Sequence, residues 1–229
     1  MEFIVLLIIN IIIYITLKII FDASLKKLKQ IGENKELDEL TQKYPENIEI
    51  CKWYLKKLNN ESVKIEEDKN SNSTLYLVTS NKIFLANLKN SYTRIQTISH
   101  ECLHSIQSKK MLWFNFIFSN IYLIFFIITC ILGISKNLPN ETMFLTIFIL
   151  AGFVYYVVRT YLEDDAMIKA RFLAKDYMQE IKLSSKEEIK KIVSKYDELN
   201  DVGIKCTNFQ LLSSVLIKNI ILILIFIIF

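Results

Sequence analysis

A mainly α-helical integral membrane protein, with a small α+β region outside the bilayer and three to four transmembrane helices, is the fold class this 229-residue sequence predicts. Three observations predict it: four apolar blocks of near-spanning length, a lopsided placement of basic residues, and one amphipathic segment carrying both histidines of the chain. The blocks are residues 3–20, 111–134, 142–161 and 211–229. A helix needs about 20 mostly apolar residues to cross a bilayer core, and each block is near that length. The second and third stay apolar on every face, unlike the surface helix of a soluble protein. In the first, Lys18 lies near an end, where its ammonium can reach the interface. The fourth is interrupted by Lys218-Asn219, which is why the span count is three to four.

No basic residue precedes the first apolar run and no small-x-small cleavage pattern follows it, so residues 1–21 read as a retained anchor rather than a cleaved leader. Of 28 Lys and Arg, only Lys136 and Lys218 fall outside 18–110 and 159–205. The positive-inside bias then puts both large polar segments in the cytoplasm, with the N-terminus and the 135–141 loop outside. The expected location is the cell membrane, multi-pass. On this reading the net charge of +4 reports topology. No aromatic-basic recognition motif accompanies it, so no nucleic-acid partner is expected. Cys51, Cys102, Cys130 and Cys206 form no C-x-x-C pair and nothing suggests a disulfide framework, which agrees with a reducing side.

The elements follow in order. Beyond the 1–21 anchor, residues 22–110 form the first cytoplasmic region. Its 23–58 stretch is Lys/Glu-rich with spaced apolar positions broken by Pro45, which predicts two helices. Residues 62–67, 74–78 and 82–85 favour strand and are separated by DKNSNS and TSN, so a small sheet is expected. Residues 90–109 return to helical spacing. One stripe holds Ile95, Ile98, Cys102 and Ile106; another holds Thr93, Thr97, His100, His104 and Gln107. Residues 111–161 make a hairpin of two spans. Residues 162–210 continue as helix and, after a Ser184-Ser185/Glu187-Glu188 cap, as a further helix to about Glu198. Residues 211–229 are the fourth block.

The segment TISHECLHSIQSKK, residues 97–110, carries the chemistry. His100 and His104, four apart on a helix, share one face and can ligate one zinc ion together. Glu101 follows the first histidine, where a carboxylate can take a proton from a zinc-polarised water. No third histidine exists in the chain, and carboxylate oxygen is an accepted third ligand of catalytic zinc. The candidates are Glu163, Asp164 and Asp165, immediately beyond the third span. The two spans of the hairpin return to one side of the membrane, so this trio and the histidine helix approach one interface.

His100-Glu101-Cys102-Leu103-His104-Ser105-Ile106-Gln107 is similar to the H-E-x-G-H-A-x-Q motif of the YugP-like neutral zinc metallopeptidases of bacterial membranes. Glu163-Asp164-Asp165-Ala166, with Ala170 following, looks like their E-x-D-A segment, and the order of anchor, small domain, zinc helix, two spans, acidic helix and final span also matches. The chain departs from that pattern at Leu103, where the family has Gly, and at Ser105, where it has Ala; a bulkier Leu103 would crowd the neighbouring strand. The resemblance implies a zincin-like catalytic region with one zinc ion on His100, His104 and Glu163, Asp165 beside the site, and Glu101 as general base. The substrate is expected to be a peptide or membrane protein cut at the cytoplasmic face. An oxyanion donor would come from among Tyr76, Tyr92, Arg94, Arg159 and Tyr161. Exposed strands ahead of the zinc helix could pair with an extended peptide.

Two rival readings stand beside this one. An intramembrane protease would bury the histidine motif within a span, and residues 91–110 are too polar for that. A membrane-anchored scaffold would keep the metal for stability alone. The sequence does not specify an oligomeric state.

Overall fold

The computed structural model describes residues 1–68, 71, 73–87 and 90–229. The described chain is mainly helical, with a small mixed sheet, and divides into two compact units. One comprises Met1–Ala23, Phe114–Tyr161 and Lys205–Phe229; the other comprises Ser24–Trp113 and Leu162–Ile204.

The first unit is built from α1 (Glu2–Phe21) and from parts of α6 (Lys109–Ile134), α7 (Glu141–Ile181) and α8 (Lys186–Ile228). These four helices are long and apolar enough to cross a membrane. α1 stops where Asp22 turns into the left-handed region at φ 43°. Tyr122, Leu145, Phe148, Leu222, Ile223 and Phe226 form the core, with Phe3 and Leu6 packed on it. The Tyr122 and Phe148 rings stack at 4.6 Å. Gly152 makes that approach possible: a Cβ there would lie 2.5 Å from Val215 Cγ1 and 2.7 Å from Tyr122 Oη. Small residues let apolar helices approach in this way. Outward positions such as Ile12, Ile124, Ile131, Leu150 and Phe153 are exposed hydrocarbon, which is costly in water and cost-free in lipid.

The second unit starts with α2 (Leu25–Gly32), α3 (Lys35–Gln42) and α4 (Asn47–Lys57). Three helices stand where two were expected, because the Asn34 side chain accepts the Leu37 amide and starts a new helix ahead of the Pro45 break. The sheet contains β1 (Lys64–Asp68), β2 (Leu75–Leu77) and β3 (Lys82–Ala86) in the order β1-β3-β2. β1 runs parallel to β3, with Ile65 opposite Ile83; β2 runs antiparallel to β3, with Tyr76 opposite Ile83. The expected DKNSNS turn lies partly outside the described residues.

α5 (Arg94–Ile106) follows. Its apolar stripe buries Ile95, Ile98 and Cys102 but leaves Ile106 exposed, since the helix ends there. Arg94 is buried at its first turn and donates to the carbonyls of Thr41, Tyr44 and Pro45 and to Asn47 Oδ1. It thereby satisfies acceptors around the end of α3 that lack helical partners. Burial lowers its pKa, which still leaves it cationic at neutral pH. α7 continues as one helix through 162–181, as expected. The Ser185–Glu188 cap also forms, with reciprocal bonds of 2.7 and 3.2 Å. The helix it starts does not stop near Glu198. α8 runs unbroken to Ile228, because neither Lys218 nor Asn219 breaks a helix and its one glycine, Gly203, is packed under Met167.

Candidate metal centre

Helical geometry places the first two donors. Residues 100 and 104 lie one turn apart on α5, and their Nε2 atoms are 3.0 Å apart. The third comes from α7. Glu163 Oε2 lies 3.4 Å from His100 Nε2 and 3.6 Å from His104 Nε2. Four-coordinate zinc with bonds of about 2.0–2.1 Å sets its ligand atoms about 3.3 Å apart. The three observed separations bracket that spacing, and the three side chains could hold one metal ion. Of the acidic trio, Glu163 is the member in this group. Asp165 is turned away: Lys169 Nζ sits 2.5 Å from its Oδ1 and Gln107 donates to its Oδ2.

Close packing of α5 on α7 brings these side chains together. Ser99 donates to the Ala170 carbonyl at 2.9 Å, and Leu103 is buried against Ala166 and Ala170. The expected crowding of the strand by Leu103 is therefore corrected: its bulk fills a gap left by alanines on α7. Ser105, the other departure, donates to the Cys102 carbonyl and accepts from Asn60 Nδ2. Cys102 itself is buried 3.6 Å from Cys51 Sγ, in packing rather than ligation, and burial raises its thiol pKa well above normal.

Gln107 fixes the chemistry of His104. Its Nε2 faces two acceptors, Leu162 O at 2.8 Å and Asp165 Oδ2 at 3.1 Å, so this end of the amide must be the nitrogen. Its Oε1 then faces His104 Nδ1 at 2.8 Å, and that nitrogen must carry the proton. In the neutral ring Nε2 is left with its lone pair pointing at His100 and Glu163, the tautomer a metal ligand needs. Burial lowers the His104 pKa, but the Glu163 and Glu101 carboxylates outweigh it and the net shift is upward. For Asp165, burial pushes up, while Lys169 and Gln107 push down harder, so it stays ionised below its ordinary range.

Glu101 is buried beside the three donors. Its Oε2 accepts the Tyr76 amide at 2.7 Å, and its Oε1 lies 3.9 Å from His100 Nε2. Burial raises its carboxyl pKa against the opposing pull of both imidazoles and that amide. A carboxyl shifted upward in this way is better suited to relay a proton than an ordinary one.

Three of the five expected oxyanion donors are committed elsewhere. Tyr76 Oη donates to Asn81, Tyr92 Oη donates to the Ile31 carbonyl, and the Arg94 guanidinium caps α3. Arg159 and Tyr161 belong to the other unit. Sequence reasoning missed the Gln107–Asp165 link and the Ala166/Ala170 contact. The second had a readable signal in alanines four apart, a spacing that lets helices approach closely. Compared with known proteins, the chain matches no family model, no curated protein and no solved structure.

Proposed function

We propose that this chain is a membrane-bound zinc metallopeptidase of the YugP-like kind, cutting peptide or membrane-protein substrates at the cytoplasmic face. The observation that carries the reading is the set of three donor atoms 3.0–3.6 Å apart with an independent buried carboxylate, Glu101, beside them. A zinc ion on His100, His104 and Glu163 would supply a Lewis acid that acidifies water and polarises a carbonyl. Glu101 takes the proton of the attacking water on Oε1 while the Tyr76 amide holds Oε2, then gives the proton to the departing amine. Gln107 keeps His104 in its ligating tautomer. β2 lies at the sheet edge next to Glu101, where an extended peptide can pair with its backbone. The lipid bilayer is the other partner, with spans drawn from the four apolar helices. The clustering of basic residues in the second unit supports its assignment to the inner side.

Metal analysis and peptide hydrolysis by the purified protein test this together. Wild type should carry about one zinc ion, lost in His104→Ala and Glu163→Ala. Glu101→Gln should keep the metal and lose about 100- to 10,000-fold in rate. Unchanged hydrolysis in Glu101→Gln and His104→Ala would overturn the proposal. A structural zinc in a membrane-anchored scaffold is the second reading, favoured by the 3.9 Å approach of Glu101 Oε1 to His100, which could make Glu101 a fourth ligand. In that case Glu101→Gln loses metal as readily as Glu163→Ala.

A further inference from the structure

α8 carries one charged side chain in its apolar portion, Lys218. Roughly 15 Å of helix separates it from Ile228, and about 10 Å from Leu211, where the apolar block begins. Both distances exceed the reach of a lysine side chain, so its ammonium cannot snorkel to either end of the span. A cation at such a depth is costly unless paired. Within its own unit the carboxylates of Glu2, Asp22 and Glu141 stand at helix ends. No described carboxylate pairs with Lys218. Its ammonium instead donates to Ser214 Oγ at 2.7 Å and faces the Tyr122 ring at 5.6 Å. The Tyr122 hydroxyl is itself buried without a hydrogen-bond partner. One of the three ammonium donors is satisfied by a side chain, leaving charge and donors to spare.

Lys218 is partly buried at the margin of an exposed apolar face formed by Ile217, Ile221, Leu224 and Ile228. A neighbouring helix lying on that face would bring its own side chains level with the ammonium.

We propose that Lys218 docks a transmembrane helix of another protein that carries a carboxylate at mid-span. Charge complementarity selects the partner. A second copy of this chain cannot supply the acid, since none occurs within its apolar blocks. Lipid phosphates lie at the headgroup level, beyond the ammonium's reach. The inference rests on the membrane placement proposed above and is independent of the hydrolytic chemistry.

The full chain, reconstituted in phosphatidylcholine vesicles, is tested by energy transfer to synthetic oligoleucine membrane helices. One peptide carries a single central Asp; the control carries Leu there. The Asp peptide should associate about tenfold more tightly than the control, the scale of a hydrogen bond between membrane helices. That preference should persist in Lys218→Arg, vanish in Lys218→Met and fall in Lys218→Gln, which keeps an amide donor but loses the charge. Equal association of both peptides with wild type, or an undiminished preference in Lys218→Met or Lys218→Gln, overturns the docking site. Flotation of the protein with alkaline-washed vesicles reads the membrane placement separately. Protein that floats without discriminating the peptides refutes docking alone; protein that fails to float refutes the placement and the docking with it.

Discussion

The two units differ in how their buried polar side chains are partnered. In Ser24–Trp113 with Leu162–Ile204, the polar groups at the centre are fastened through directed bonds. Arg94 reaches four acceptors, Ser99 ties α5 to α7, and Asp165, Gln107 and His104 form one chain. Arg94 Nε, Gln96 Oε1 and Arg171 Nε are left over there, each on a side chain bonded through its other atoms, whereas in the apolar unit Asn115 Oδ1, Tyr122 Oη, Thr160 Oγ1, Ser213 Oγ and Asn219 Oδ1 are buried without a partner. Its order comes from shape: stacked rings and a glycine that admits a tyrosine. The lesson is a division of labour. Directed bonds hold the candidate donor atoms in place, whereas close packing orders the long apolar helices.

Three substitutions probe that division. Gly152→Leu should have the largest effect, because even a Cβ there meets Val215 at 2.5 Å. Overpacking costs about 1–3 kcal/mol or more, so the thermal midpoint should fall while zinc per chain stays at the wild-type value. Lost metal in Gly152→Leu would break the separation between the units. Gln107→Ala should do the converse, weakening zinc affinity about 10- to 100-fold, as seen when groups orienting ligands are removed, with little change in melting. Competition with a chelator reads this directly.

The smallest effect concerns pH. Asp165 has its folded pKa depressed by Lys169 and Gln107, so the stability it contributes is complete above the ordinary Asp range. That contribution fades as pH falls from the ordinary value through the depressed one. Asp165→Asn should therefore flatten the acid limb of the metal-free protein's stability curve in that window. An unchanged limb would show that Asp165 is not held as the structure indicates.

Much of this was legible in the sequence, for identifiable reasons. The four apolar helices were readable because blocks of that length leave few alternatives. His100, Glu101 and His104 were readable because helical spacing puts the first and last on one face beside the second. The trio 163–165 was readable from its residues only as a cluster, with Glu163 singled out by the family resemblance; in the structure Lys169 and Gln107 engage Asp165, and Glu163 is the member beside the histidines. The role of Gln107 was half visible: it shares a stripe with His104, three residues back, but Leu162 and Asp165, which fix its amide, lie more than fifty residues away. Leu103 looked like an obstruction because its neighbours Ala166 and Ala170 come from a different helix. Strand pairing was equally hidden, since alternation marks a strand without naming its neighbour. The break at Asn34 was missed although its signal was present, since an Asn followed by helical spacing is an N-cap pattern.

Both imidazoles of the chain sit in one cluster, 3.0 Å apart. A sample labelled only at histidine would therefore give a ring spectrum in which every resonance belongs to the centre. Arrival of an ion, its departure and the proton on each nitrogen would all be readable in the unaltered protein, without background from any other site.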